Sequence, residues 1–501
     1  MSLRSWADAQ GDITLTCDVV VVGTGPGGAA AARVFAEGGA SVVLVEEGPA
    51  LPVFRPNMTH TMRYHMQEDG MMVARSASMM PIAAGRGVGG GSLINSAITF
   101  RAPPIVLDGW KDRLAGDDGF SRANLDPVYD EVAAIIGVGV TSAVISGENN
   151  RLIARGAAAL GYPGGLAPRN TPHCSGCGLC NTGCPVGGKG SMDKNLLPMA
   201  MAKGAIIQAD TKVREILVDK GRAIGIRGVV HHQDTREEVG RLTVMAGRVV
   251  LSAGAVGTPR LLHGCGLAAR LGEHVGKHLH VHPGNAVLGR CDTPVNLWRG
   301  ATQGAYFEIP GHPGILPHTF SAPPGATLVL LGKVGQDAKK AHELLPYLCG
   351  SVVMVSDHGD GTVNVRSDGR ADLAYTFADD DVERIKFGMV ETAKVLMAGG
   401  AKEVMGLVFG VGWHSDVDEF AAALKDRRIE DFGLYASHPM GTCRMASDPA
   451  EGVVRGDGRT HGLEGLYVAD ASIFPTSLGV NPSLTTMALC TALARRMMAA
   501  G

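Results

Sequence analysis

Apolar residues are not spread evenly along the chain. In "CDVVVVGTGPGGAAAARVFAEGGASVVLVEEG", from Cys17 to Gly48, four consecutive valines meet a glycine-dense turn, an Ala-rich stretch follows, and "SVVLV" closes on an acid. That order predicts strand, tight turn, helix and strand, a βαβ unit. Near the other end, "GLYVADASIFPTSLGVNPSLTTMALCTALARRMM" predicts a strand ending in Asp470, a loop, and a helix starting near Pro482. Between them, "SVVMVSDHGDGTVNVRSDGRADLAYTF" alternates apolar and polar positions, as antiparallel strands covered on one face do. "AAGRGVGGGSLINSAITFR", Ala83 to Arg101, sets a glycine run before an apolar, strand-like segment.

Composition refines this picture. With 501 residues, 45% of them hydrophobic, the chain is long enough for two or three domains. Seventy glycines and few aromatics suit an α/β protein with many tight βα turns. A net charge of −3 gives no support for nucleic-acid binding. No window reaches the roughly 18 apolar residues of a membrane span, and "MSLRSWADAQGDITLTC" lacks the apolar core of a secretory signal, so a cytoplasmic location is expected. Six of the ten cysteines, Cys17, Cys265, Cys291, Cys349, Cys443 and Cys490, stand apart and read as small buried hydrophobes.

The βαβ unit carries G-x-G-x-x-G at Gly23, Gly25 and Gly28, which lets a pyrophosphate rest on backbone N–H groups at a helix N-terminus. Glu46 ends the second strand where a carboxylate accepts from ribose hydroxyls. The fingerprint alone does not separate FAD from NAD. Gly85 to Gly91 hold five glycines in seven positions, which implies close backbone approach to a flat or anionic ligand; a flexible linker is the plainer alternative.

These segments, with "LSAGAVGTPRLLHGCG", "HPMGTCRM" and "VADASIFPTSLGVNPSLTTMALC", resemble in order the motifs of the glucose-methanol-choline (GMC) oxidoreductases over nearly the whole chain. The resemblance implies an α/β fold: a Rossmann-like FAD-binding lobe (residues 12–105, 200–285 and 430–501) with a discontinuous second, substrate-binding lobe (106–199 and 286–429) containing an antiparallel sheet. It implies FAD contacts at Gly23, Gly25, Gly28, Glu46, Arg86, Gly90, Ser92, Asn95, Val213, Asp470 and Pro482, with Val213 near the adenine and Asp470 on the ribityl chain. Two departures stand out. The family's common G-G-S-S reads Gly89-Gly90-Gly91-Ser92, and its N-L-x-D-H reads "HLHVHP", with His278, His280 and His282 at strand spacing for a metal. No histidine lies beside the glycine-rich segment, so FAD is expected to be held non-covalently.

By the same resemblance the chain is an FAD-dependent enzyme oxidising an alcohol, a sugar or a primary alcohol among the candidates, by hydride transfer to flavin N5. His438 is the base and Asn481 its partner, in place of the second histidine of many relatives. The residues alone also allow an ordinary loop histidine at 438 and a helix cap at Asn481-Pro482.

The insert at 173–189, "HCSGCGLCNTGCPVGGK", spaces Cys174, Cys177, Cys180 and Cys184 before Pro185 as bacterial ferredoxins do. An iron-sulfur cluster (3Fe-4S or 4Fe-4S) leads the readings, with reduced thiols or zinc as alternatives. A cluster favours a dehydrogenase that passes electrons to an external acceptor such as a quinone, a cytochrome or a small redox protein. Without one, an oxygen-using oxidase, or a non-redox or light-driven lyase or decarboxylase on the same fold, stays open.

Overall fold

The structure, a computed structural model, describes residues 2–9, 11–50, 54–55, 57–332 and 334–499. An eight-stranded sheet forms its first layer, in the order Leu3–Arg4, Ile206–Gln208, Val42–Val45, Gly11–Val22, Glu238–Leu251, Arg222–His231 and Thr211–Asp219, with Leu466–Val468 also on Glu238–Leu251. The strand Glu238–Leu251 explains the mixed character. Its length pairs parallel with Gly11–Val22, its first part pairs antiparallel with Arg222–His231, and only Val249 to Leu251 take Leu466–Val468 in parallel. One side of the sheet thus continues as a meander from "TKVREILVDKGRAIGIRGV", while the other keeps the Rossmann-like parallel strands.

Val19 to Val22 and Val42 to Val45 are buried on both faces, the requirement for a central parallel strand. Helices Pro26–Glu37 and Ser483–Ala499 pack against each other over this sheet, their small residues Ala29 to Ala32, Ala488 and Ala494 allowing close approach. The same core takes Leu125, Val128, Val132 and Ile136 from helix Arg122–Ile136.

A second core surrounds a six-stranded antiparallel sheet, in the order Glu403–Gly406, Gly284–Arg290, Leu348–Val355, Ile315–Thr319, Ala305–Phe307 and Gly164–Leu166. Helix Asp379–Gly399 covers one face with Ile385, Met389, Thr392 and Leu396, a stripe at helical spacing. Alternation divides the strands by face: Val287 and Val404 enter that core, while Ala286 and Met405 line a large cavity on the other side. A four-stranded sheet joins Asp360–Val365 and Ala371–Thr376 to Val73–Arg75 and Met80–Pro81. Among the described residues no helix is long and apolar enough to cross a membrane.

A partly buried ion cluster ties three helices of the first core. Arg33, nearly inaccessible, meets Glu131 at 2.6 Å, and Glu131 also takes Arg495 at 2.6 Å. Removing the carboxylate leaves a buried guanidinium short of its main partner. Because Glu131 is itself partly solvated, Glu131→Gln is expected to cost about 1–2 kcal/mol, less than a fully buried pair. A lowered urea midpoint with unchanged far-UV circular dichroism checks this.

Candidate functional site

The large cavity, about 1680 Å³, lies between the two sheets at the C-terminal ends of the parallel strands, where open α/β sheets bind ligands. Gly23, Gly25, Glu46, Gly90, Asn95, Val213, His438, Asp470, Asn481 and Pro482 all line it. Segments more than 400 residues apart in sequence are therefore brought to one space. Gly28, Arg86 and Ser92 are not on its wall.

Each of those three has a different task. A Cβ at Gly28 would sit 2.1 Å from the Gly23 carbonyl oxygen, so the third glycine lets helix Pro26–Glu37 pack on its own strand. Arg86 Nη2 donates to the Glu47 carbonyl at 3.0 Å. Ser92, buried, donates to the Gly89 carbonyl at 2.6 Å and accepts from Met192 N–H at 3.0 Å, closing the glycine-rich turn.

Gly25 caps helix Pro26–Glu37 and leaves its first N–H groups toward the cavity. Gly90, in the left-handed region at φ 53°, faces it, and a Cβ there would lie 2.6 Å from Gly25 Cα. Glu46 locks these pieces together. Its Oε2 accepts from the N–H and hydroxyl of Thr24 at 3.0 and 2.7 Å, and its Oε1 from Gly48 and Gly87 N–H at 3.1 Å each. Its two oxygens thus accept four hydrogen bonds from within the chain. Burial pushes its pKa up, against the pull of these donors.

Asp470 accepts from Gly254 N–H at 2.8 Å, Thr258 Oγ1 at 2.6 Å and Ser472 N–H at 2.8 Å. Val213 lies beside a bulge at Arg214, where the ladder with Arg222–His231 is interrupted. The signal missed in sequence is Thr24, which bridges Glu46 and the Gly87 and Gly89 backbone; "SAG" at 252–254, within a motif the sequence did show, sends its last N–H to Asp470.

At the other end of the cavity, Asn481 Nδ2 and His438 Nε2 are 3.1 Å apart. The Asn481 Oδ1 is buried without a hydrogen-bond partner among the described residues. Helix Ser483–Ala499 begins directly after, with Thr486 N–H on the Pro482 carbonyl, so its positive end faces the cavity. Burial pushes the His438 pKa well down, and nearby His282 and His318 add to this, so the ring is neutral at neutral pH. His282 meets His438 edge to face at 5.4 Å and accepts from Gly479 N–H through Nε2 at 2.9 Å. Burial lowers both His282 and His318 to about 4.

The "HLHVHP" histidines do not converge. Left-handed backbone at His278 and His282 breaks the strand alternation. His278 goes to His274 at 2.9 Å, His280 to Asp357 at 3.5 Å, and His282 to Gly479. No group of metal-ligating atoms drawn from them gathers among the described residues; the one that does is His358, Asp380 and Asp381 near the surface. Asp357, which sequence reading passed over, is the hub beneath this end. It accepts from Val281 and His282 N–H, the Tyr375 hydroxyl and the Ser477 hydroxyl. Burial raises its pKa, but His280 and these donors outweigh burial and hold it ionised.

Cys174, Cys177, Cys180 and Cys184 line one small cavity of about 10 Å³, room for about a single water. No three of the sulfurs gather as a single metal ion requires. Cys174 and Cys184 accept from Gly176 and Gly188 N–H at 3.4 and 3.2 Å. Beside them lie Arg169 and Lys189, 1% and 2% exposed, and no carboxylate of the described residues is within 4.0 Å of either. Arg169 Nη2 reaches Cys180 Sγ at 3.1 Å. Burial raises the Cys180 thiol pKa, yet the two cations outweigh it and the net shift is downward. As arranged, the four cysteines do not form a clear cluster site.

The cradle at Gly25 and Gly90, the free N–H groups at the start of helix Pro26–Glu37 and the unpartnered Asn481 Oδ1 fit a dinucleotide carrying a flat redox ring. Fold and site together define a two-lobed flavin-dependent oxidoreductase. Residues 32–284 and 357–490 match two family models described as GMC oxidoreductase. An uncharacterised GMC-type oxidoreductase of Mycobacterium tuberculosis is 34% identical over 491 residues, 96% of this chain and 76% of that protein. A long-chain-alcohol oxidase of Arabidopsis thaliana is 28% identical over 546 residues, 99% and 70% of the two chains. Among solved structures, pyridoxine 4-oxidase from Mesorbium loti superposes with a TM-score of 0.72 at 19% identity, covering 96% of this chain and 98% of that one. The chain belongs to the GMC oxidoreductase family, and it is an FAD-dependent oxidoreductase acting on CH–OH donors.

Gly90→Ala places a methyl group against Gly25 in a backbone conformation L-residues avoid. The purified variant is expected to lose most of its flavin, read as the flavin-to-protein absorbance ratio, while remaining folded by circular dichroism.

Proposed function

We propose that this enzyme converts an alcohol to its carbonyl compound at the His438–Asn481 end of the cavity. The observation that carries the reading is the His438–Asn481 pair itself, a neutral imidazole 3.1 Å from an amide at the start of a helix. Bound FAD supplies the hydride acceptor. Gly23, Gly25, Gly90 and the amides around them would hold its pyrophosphate, Val213 its adenine end, Asp470 its ribityl chain, and Asn481-Pro482 its ring end.

His438 takes the hydroxyl proton at Nε2, the nitrogen that Asn481 now faces. Asn481 keeps the substrate oxygen aligned, by donating to it once the alcohol enters. His282 packs against the His438 ring and is itself fixed by Gly479, while Asp357 anchors the backbone of His282 from below. Desolvation at this end, with His282 and His318 nearby, keeps the base unprotonated.

For the cysteine run we infer reduced thiols in a cation-compensated nest. The buried charges of Arg169 and Lys189, the N–H bonds to two sulfurs and the small cavity support this reading. The ferredoxin-like spacing supports the rival reading of a cluster, but no electron route is derived through one. Iron and acid-labile sulfide in anaerobically purified protein are expected well below one per chain; three or four irons per chain, with matching sulfide, would establish the cluster instead.

His438→Ala is expected to keep its flavin and to lose about a hundredfold or more of the rate of anaerobic flavin reduction by substrate, the usual share of a general base. In the wild type the protonated ring is the inactive form. A pKa held well below 6.5 therefore keeps that rate level through neutral pH and lets it fall only in distinctly acid solution. Stopped-flow reduction across pH measures both.

A further inference from the structure

The cavity opens to solvent through an apolar mouth. Met79, Val329, Leu330 and Phe409 line it and yet are 75%, 79%, 43% and 83% exposed. They come from three separate segments: the residue before strand Met80–Pro81, helix Pro324–Leu331, and the loop after strand Glu403–Gly406. The helix, "PGATLVLL", is apolar nearly all round, with Thr327 alone buried. Ordinary surface helices are polar on their outer side, and scattered apolar residues need no explanation, whereas several around one opening mark a binding surface.

The apolar character continues inward. Leu328 and Leu331 pack on a small cluster with Trp298, Phe320 and Leu345 that braces the helix from behind. Phe320, Met405, Leu407 and Val411 line the cavity as well, on the wall shared with the antiparallel sheet. A polar site at His438 thus shares one cavity with an apolar mouth, which is the shape of an amphiphile.

Resting on the alcohol-oxidising reading above, we propose that this mouth is the subsite for the alkyl chain of a long amphiphilic alcohol, whose hydroxyl reaches His438. Helix Pro324–Leu331, Phe409 and Met79 cover the chain, and in doing so they lose their own exposure to water.

The test uses the flavin-loaded enzyme with butanol, octanol and dodecanol under anaerobic conditions. The rate constant for flavin reduction per substrate concentration is expected to rise about two- to fourfold per added methylene until the chain spans the mouth. In the double variant Val329→Ser, Phe409→Ser, both positions being on the surface, the ratio of dodecanol to butanol is expected to fall at least tenfold. Equal rates across the series, or a ratio unmoved in the variant, would overturn the inference while leaving alcohol oxidation intact. A second readout separates the two readings: dodecanol binding, followed by flavin fluorescence, is expected in the wild type and weakened in the variant. Binding without flavin reduction by any alcohol would sink the catalytic reading and keep the mouth; absence of chain-length-dependent binding would sink the mouth.

Discussion

The architecture hangs on the cost of burying the Glu46 carboxylate. A carboxyl group away from water must have its oxygens hydrogen-bonded, and Glu46 finds its partners in the first glycine turn, the end of its own strand and the glycine-rich segment. Each donor is a backbone or near-backbone group, so the bonds fix main chain. Once they form, Gly25 and Gly90 face each other across a gap with no room for a side chain on Gly90. The nucleotide cradle is in this sense the by-product of satisfying one buried carboxyl group.

The other end of the cavity follows the same logic. Asp357 is held ionised by His280 and by donors from three segments, and this fixes the backbone beneath His282. His282, neutral and pinned by Gly479, then limits where the His438 ring can stand. Two buried carboxylates, one per core, therefore set the two ends of one active cavity.

Much of this was legible in the sequence where the signal is local. The valine runs, the glycine turn and the acid eighteen residues after Gly28 gave the βαβ unit, and the ordered motifs gave the two-lobed plan. Legibility failed where partners are chosen by tertiary packing. Spacing suggested that His278, His280 and His282 share a strand face, but left-handed backbone at the first and last sends each to a different neighbour. That four donors of the chain itself meet Glu46 could not be read, because they come from loops that no window of sequence unites. Asp357 sits in "SDHGDG", indistinguishable there from a turn acid. The exposure of Phe409 and Val329 has no sequence signature, because an apolar residue reads as core until its surroundings are known.

The cysteine insert has a mechanical side. Lys189 Nζ donates to the carbonyls of Leu93, Asn95 and Cys180, and Arg169 holds the carbonyl of Ser96 while touching the Cys180 sulfur. Asn181 adds the carbonyl of Ile94. The loop that carries the thiols is thus riveted, residue by residue, to the stretch of main chain that forms one wall of the active cavity. The Cys180 sulfur and that wall therefore share the same two buried cations, so a change that displaces the sulfur reaches the wall through Arg169 and Lys189.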